Sequence, residues 1–584
     1  MMNNWKVNYL RWASFASLDP ELKKLLNEMK EDEAALEDCF YKDIEFGTGG
    51  MRGELGPGTN RINLYTIRKA SAGLARYILL HGTAAKEAGV AIAYDCRRKS
   101  HELAVESAKV LGMHGIRVYL FDRLAPTPLL SFAVRHLKTW AGIVITASHN
   151  PPEYNGYKVY GPDGGQLTPA AAGKLTSCIE EVGDALKVEV ADLLFLKDKG
   201  LLTMVATEIF DAYLQKMDDL REKTGTATTP ADQISIVFTP LHGTTREPIS
   251  QGLKHFGYER VTLVSEQAHP DSEFSTVASP NPEDHAAFEL AIRYAKKEDA
   301  DLVLGTDPDG DRLGAAVKNQ NGEYIVLNGN QTGVLLLDYL LSQKQKNGLL
   351  PANGLVLQTI VTSEMGKAVA KAYGVATEST LTGFKYIGEK MGEYEKSGAY
   401  SFLFGYEESH GYLIGDFVRD KDAIQTALLL ADACAYHKHR GSSLYNALQD
   451  LYEKYGYYRE DLYSMTARGK QGIATIDAVM THFRQSSLSS VCGKQVLAVE
   501  DYLTGSRQDI RTGTVTPLAL PFSNVIKFLL EDDAWFCVRP SGTEPKMKVY
   551  LGVRGSSHDD GAHQLTALKQ AVIGLISEWT GESG

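Results

Sequence analysis

Short apolar runs recur along this chain, and each ends abruptly in small polar residues. Such runs, bounded by turn residues, predict strands buried on both faces. One pattern appears three times. A strand over 89–95 is followed by a helix over 101–112 and a strand over 116–121. A strand over 234–238 leads to a helix over 248–256 and a strand over 261–264. A strand over 354–358 leads to a helix over 364–373. Strand, polar loop and helix within about 30 residues form a βαβ unit, so three related α/β domains are predicted. The last stretch differs: a helix over 444–455, strands over 535–538 and 549–553 around a polar loop, and a closing helix over 562–579. Segregated strands and helices predict an α+β domain. Charge and glycine content suggest linkers near 197–201, 319–323 and 440–443. The expected domains are 1–205, 206–322, 323–445 and 446–584.

A chain of 584 residues can build several cores, and 43% apolar with 23% charged residues is ordinary for a globular protein. The net charge of −12 argues against nucleic acid or an anionic membrane as the main ligand. Any bound anion must meet a local basic cluster. Cys39, Cys96, Cys178, Cys434, Cys492 and Cys537 are scattered, with no metal-ligand spacing. They read as reduced thiols of an intracellular protein. The first residues lack the apolar run of a signal peptide, and no stretch approaches the length of a bilayer span. A cytoplasmic enzyme is expected.

The candidate chemistry lies where apolar runs stop. A strand over 142–145 ends in Thr146-Ala147-Ser148-His149-Asn150-Pro151. In open α/β sheets ligands bind outside the carboxyl ends of strands. Asn155-Gly156 reads as a turn, followed by Lys158. A hydroxyl, an imidazole and an amine in one loop can make an assisted nucleophile, whereas the serine alone would merely cap a turn. Asp307, Asp309 and Asp311 follow a strand over 301–305. Three carboxylates at alternate positions can converge on one hard cation, and oxygen ligands suit Mg²⁺. An EF-hand would need glycine and glutamate where this chain has Arg312 and Lys318. Arg539-Pro540-Ser541-Gly542-Thr543-Glu544-Pro545-Lys546 joins two strands. Its arginine fork, hydroxyls and exposed backbone N–H groups suit a phosphate.

Glu407-Glu408-Ser409-His410 follows a strand over 401–404 and offers carboxylates and a hydroxyl to a polyol. Thr382-Gly383-Phe384-Lys385 forms a turn before a helix, and Arg419 and Lys421 add cations nearby. Gly47-Thr48-Gly49-Gly50-Met51-Arg52 is a glycine-rich loop with an arginine, lacking the ending of a P-loop.

Four such motifs, in this order and each in a different expected domain, resemble the α-D-phosphohexomutase family over nearly the whole chain. These are the phosphoglucomutase and phosphomannomutase enzymes. The amino-terminal helical region and residues 151–158 look like the bacterial phosphoglucomutase branch. The resemblance implies four domains around a central cleft and a phosphorylated Ser148. One Mg²⁺ per chain would be held by Asp307, Asp309, Asp311 and an oxygen on Ser148. Glu407 and Ser409 would bind sugar hydroxyls. Arg539, Ser541, Gly542 and Thr543 would hold the non-reacting phosphate. Arg52, His149, Lys158 and Arg312 would surround the reacting phosphoryl group, and Thr382, Gly383, Lys385 and Lys421 would complete the substrate contacts. Gly49 stands where many members carry serine.

The implied reaction interconverts glucose 1-phosphate and glucose 6-phosphate through glucose 1,6-bisphosphate, which also primes the enzyme. The partners are small sugar phosphates, and the chain is expected as a monomer or weak homodimer. Lys158, activated by neighbouring cations, is the candidate general base, with His149 as rival. The carboxy-terminal domain is the expected lid. Mannose and pentose phosphates are alternative substrates. A Mg²⁺-dependent sugar phosphatase and a non-catalytic sugar-phosphate sensor are alternative classes.

Overall fold

One four-strand arrangement is built three times. The first sheet holds β1 (Met51–Glu54), β2 (Val90–Tyr94), β3 (Val118–Phe121), β4 (Ala141–Ile145), β5 (Tyr154–Tyr160) and β6 (Leu202–Val205), ordered β1-β5-β4-β2-β3-β6. The second holds β7 (Ile236–Thr239), β8 (Val261–Leu263), β9 (Leu302–Thr306), β10 (Leu313–Lys318) and β11 (Tyr324–Leu327), ordered β11-β10-β9-β7-β8. The third holds β12 (Gly354–Thr359), β13 (Ala376–Thr380), β14 (Ser401–Glu407) and β15 (Gly411–Leu413), ordered β13-β12-β14-β15. In each, the predicted βαβ unit supplies two parallel strands: β2 and β3, β7 and β8, β12 and β13. A third strand then joins in parallel and turns straight back through an antiparallel partner: β4 to β5, β9 to β10, β14 to β15. Strands β2, β4, β7, β9 and β12 are buried at every position, which is why they are apolar without alternation. The computed structural model describes residues 4–580 apart from 48, 227–230, 232–233, 467–468, 487 and 541–545.

The fourth sheet is different, as predicted. It contains β16 (Tyr457–Thr466), β17 (Ser490–Val491), β18 (Lys494–Asp501), β19 (Ser506–Asp509), β20 (Val515–Pro517), β21 (Ile526–Leu530), β22 (Trp535–Pro540) and β23 (Lys546–Gly555). Their order is β16-β23-β22-β21-β18-β19-β20, with β17 also pairing with β18. All these pairings are antiparallel. Helices Gly469–Gln485 and His558–Thr580 pack against it, closing a core that includes Phe483, Phe528, Phe536, Leu568 and Val572.

Several expected punctuation marks fall inside units. The stretch near 197–201 leads from helix Leu193–Asp198 into β6, which pairs with β3. The glycine-bearing stretch 319–323 is the hairpin turn between β10 and β11, where Asn319 N donates to Glu323 O at 2.8 Å. The second sheet therefore runs to Leu327, past the boundary expected at 322. Helix Leu444–Tyr455 packs on helices Gly329–Lys346 and Ala423–His439, so it crosses the boundary expected at 445. Asn155-Gly156, read as a turn, lies within β5. Gly156 pairs with Arg52 of β1, and a Cβ there would sit 2.6 Å from Thr146 O and 2.7 Å from Met51 O. The glycine serves close approach of flanking backbone rather than a reversal of the chain.

The three α/β units are fused. A continuous core joins Leu129 and Tyr213 with Ile249, Leu253, Leu340 and Leu428. Helix Ala423–His439 is buried at every position from 423 to 435, consistent with its place between neighbouring units. A smaller cluster of Ile360, Val361, Leu381, Trp535 and Tyr550 joins the third unit to the fourth. Among the described residues no helix is long and apolar enough to cross a membrane. All six cysteines are free.

Candidate active site

The same feature positions the chemistry in each of the three α/β units: a hairpin loop between a parallel strand and its antiparallel partner. Ser148 lies between β4 and β5, the three aspartates between β9 and β10, and the loop after Glu407 between β14 and β15. Arg539 lies on β22, just before the β22–β23 connection. A cleft of about 720 Å³ is lined from all four units, including His149, Arg312, Glu407 and Arg539.

Ser148 is buried and adopts a positive φ of 52°, uncommon for a residue with a Cβ. Its N–H donates to Thr146 Oγ1 at 2.9 Å. Its hydroxyl donates to Asp307 Oδ2 at 2.6 Å and lies 3.2 Å from His149 Nδ1. Burial, with Arg312 and Arg52 nearby, holds His149 well below the usual histidine range, so its imidazole is neutral near pH 7. Arg52 projects from β1 and donates to Asn150 Oδ1 at 3.1 Å.

Asp307, Asp309 and Asp311 are all buried, and one oxygen of each lies within 4.8 Å of the others. Asp307 Oδ1 accepts from the N–H groups of Asp311 and Arg312 at 3.1 and 3.0 Å. Lys158 Nζ donates to Asp309 Oδ2 at 2.8 Å, and Lys421 Nζ pairs with Asp311 Oδ2 at 3.1 Å. Asp309 Oδ1 and Asp311 Oδ1 are buried with no hydrogen-bond partner. Orphaned carboxylate oxygens are costly unless a cation meets them, so the residues present fit a hard divalent ion. Burial and the neighbouring carboxylates push Asp307 well above the usual range. Burial pushes Asp309 the same way, but Lys158 leads the opposing effects that bring it below.

Cations of the third and fourth units line the same cleft, Lys385 and Arg539 among them. Burial, then the neighbouring Arg539, brings the Lys385 amine down to about 8. Both side chains add positive potential to the cleft. Glu407 is buried, and its Oε1 accepts from Gly383 N at 2.8 Å; burial raises its carboxyl, with Lys421 opposing. Gly383 caps helix Phe384–Ser397 with a φ of 120°, as the predicted turn requires. Ser409 and Thr382 also line the cleft.

The structure thus brings Ser148, His149, Lys158, Arg52 and the aspartates together, and sets Arg312, Thr382, Gly383, Lys385, Glu407, Ser409 and Arg539 around the cleft. Ser541, Gly542 and Thr543 lie outside the described residues. Two of the expected side chains are paired in ways the sequence did not show. Lys158 is engaged by the Asp309 carboxylate, because β5 passes directly beside the aspartate loop. Lys421 lines the cleft, yet its ammonium is engaged by Asp311 and by Asp420 Oδ1 at 3.0 Å.

Sequence reasoning missed Glu283, which pairs with the Arg312 guanidinium, and Thr127, whose N–H donates to Asp309 O at 2.8 Å. It also missed Asn330 and Lys548 in the cleft and Arg97 beneath the serine loop. Only Arg97 had a visible signal: Asp95 and Arg97 are charged residues ending a wholly apolar strand.

Comparison with known proteins agrees with this architecture. Residues 43–185, 211–322 and 328–455 match models described as phosphoglucomutase/phosphomannomutase alpha/beta/alpha domains I, II and III, and 491–563 match the C-terminal domain. A phosphoglucomutase of Staphylococcus epidermidis is 40% identical over 554 residues, spanning 95% of this chain and 96% of that protein. One from Staphylococcus aureus is 38% identical over 561 residues, spanning 95% and 99%. Among solved structures, a phosphoglucomutase/phosphomannomutase family protein from Burkholderia thailandensis superposes with a TM-score of 0.65 at 17% identity, covering 92% of this chain and 98% of its own. The open form of pp63/parafusin from Paramecium gives 0.64 at 16%, covering 93% and 96%. Fold, order of loops and overall likeness agree: this chain belongs to the phosphoglucomutase/phosphomannomutase family.

Proposed function

We propose that the chain is a phosphoglucomutase, an isomerase of carbohydrate metabolism that interconverts glucose 1-phosphate and glucose 6-phosphate with Ser148 as phosphoryl carrier. The observation that carries this reading is the buried Ser148 hydroxyl, 2.6 Å from an aspartate of a cation-ready triad beside a four-sided cleft. The near full-length likeness to bacterial phosphoglucomutases supports glucose over mannose or pentose phosphates. Phosphorylated Ser148 transfers its phosphoryl group to the free hydroxyl of the sugar phosphate. The resulting glucose 1,6-bisphosphate reorients within the cleft, and its other phosphate returns to Ser148.

Phosphoryl transfer needs mainly positioning and charge neutralisation. Arg52 and Arg312 supply positive charge at the reacting end. Arg539 and Lys385, with Ser541, Gly542 and Thr543, hold the far phosphate, and Glu407 and Ser409 read the sugar hydroxyls. Thr382, Gly383 and Lys421 shape that pocket. Asp307, Asp309 and Asp311, with an oxygen on Ser148, would hold one Mg²⁺, which supplies charge neutralisation at the transferring oxygens when bound. Asp307 Oδ2, which accepts from the Ser148 hydroxyl at 2.6 Å, takes its proton when the serine attacks, with neutral His149, 3.2 Å from Oγ, as the alternative acceptor. Lys158 serves the sugar hydroxyl only after releasing Asp309. Glucose 1,6-bisphosphate would prime an unphosphorylated chain. A reducing cytoplasmic setting fits the free thiols, and a monomer or weak homodimer fits a cleft completed within one chain.

The test compares kcat/KM for glucose, mannose and ribose 1-phosphates with Mg²⁺ and the bisphosphate, using Ser148→Ala as control. Glucose 1-phosphate is expected to lead, and the control to lose at least about 1,000-fold. An equally active control would sink the mechanism. Inorganic phosphate released in step with substrate loss would favour a phosphatase.

A further inference from the structure

The serine loop rests on one buried arginine. Arg97 follows β2 at the point where Asp95 N still pairs with Ile145 O, beside the end of β4. Its side chain is wholly inaccessible. Nη2 donates to Ser148 O at 2.7 Å and to Asn150 O. Nη1 donates to Pro151 O at 2.7 Å and Tyr154 O at 3.0 Å. Nε lies 3.5 Å from Asp95 Oδ2, and Arg97 N donates to Asp95 Oδ1 at 2.9 Å. One planar fork therefore gathers four carbonyls of one loop while a carboxylate anchors its stem. The second unit seals the arrangement. Phe274, buried at a φ of 50°, lies under the guanidinium with its ring centre 4.9 Å away. Glu273 pairs with Arg98 alongside.

We infer that Arg97 is a positioning residue for phosphoryl transfer: it fixes the strained Ser148 backbone, and thus the direction of the carrier oxygen, without touching the substrate. Both terminal nitrogens of its guanidinium end on backbone carbonyls of the serine segment, and Nε lies beside Asp95 rather than the cleft. A loosened Ser148 misaligns transfer to the sugar and lets water compete for the phosphoserine. The inference rests on Ser148 being the phosphoryl carrier.

Arg97→Lys tests it, because an ammonium keeps the charge beside Asp95 but cannot span four carbonyls. With glucose 1-phosphate, kcat is expected to fall about 100-fold while KM stays within about threefold, since the cleft's cations are intact. Inorganic phosphate released per isomerisation rises severalfold. Amide exchange across 146–154 quickens, a readout independent of turnover. Wild-type values of kcat, phosphate release and exchange in Arg97→Lys would overturn the inference. If that protein does not fold, Phe274→Leu decides by the same readouts, because it removes the ring that seats the guanidinium beneath the carbonyls. Smaller changes in the same directions support the inference, and wild-type values refute it. A wild-type enzyme that neither isomerises glucose 1-phosphate nor carries phosphate on Ser148 refutes the functional reading instead, while the exchange data still decide whether Arg97 fixes the loop.

Discussion

Ser148 and the aspartates were legible because their chemistry is concentrated within a few consecutive positions at the end of apolar runs. Their neighbours were not. Glu283 reaches Arg312, and Arg97 reaches Ser148, across long sequence separations that no local pattern encodes. The direction of a side chain was equally hidden: Lys158 was visible as a cation, but its pairing with Asp309 depends on how β5 lies beside the aspartate loop. Lys385 shows what such packing does to reactivity. With its amine at about 8, it loses its charge just above neutral pH. A protonated amine is what attracts a sugar phosphate, so kcat/KM should fall as pH rises through about 8 in the free enzyme. Lys385→Arg stays charged and should carry the plateau further into alkali. A coincident alkaline limb in both proteins would remove Lys385 from phosphate binding.

At the next level, the parallel strands and their helices were readable from apolar runs, whereas the hairpins that carry function were not. The antiparallel strand β5 contains Asn155-Gly156, and glycine with asparagine reads locally as a chain reversal. The hairpin loops also depend on neighbouring helices. Gly329 opens helix Gly329–Lys346 behind an Asn328–Gln331 capping box, and a Cβ there would strike the Glu408 carbonyl and sit 2.8 Å from His410 N. Alanine suits a helix better than glycine, so Gly329→Ala should keep the helix and push the Glu407–His410 loop aside. The expected result is a loss of about 10- to 100-fold in kcat/KM with circular dichroism unchanged. Full activity would show that the loop tolerates displacement.

Across the molecule, the repeat of three α/β units was legible from three recurring patterns, but where one unit yields to the next was not. Continuous cores blur those borders, and the linkers expected at 197–201 and 319–323 turned out to be internal turns. Between the third and fourth units the apolar contact is a smaller cluster, and a buried cation adds to it. Lys527, on β21, is 4% exposed and reaches across to Ile360 O at 2.6 Å, with Glu364 Oε1 at 3.6 Å and the Trp535 ring centre at 4.4 Å. Lys527→Met should weaken this docking by about 2 kcal/mol, lowering the melting temperature and raising KM more than it lowers kcat. An unchanged melting curve and KM would show that the two units are held by their apolar contact alone. Around the triad the three fused units meet as charges: carboxylates from the second, Lys158 from the first and Lys421 from the third. With Asp420 beside Lys421, four carboxylates face two ammonium groups, and burial pushes Asp307 toward its neutral form, which leaves few negative charges as a lure for a divalent ion. A phosphate on Ser148 adds about two more. The phosphorylated protein should therefore hold Mg²⁺ more tightly than the bare one, and by reciprocity the ion should favour the phosphorylated state. Under the proposed mechanism, free magnesium would set how much of the enzyme stands loaded and ready to turn over.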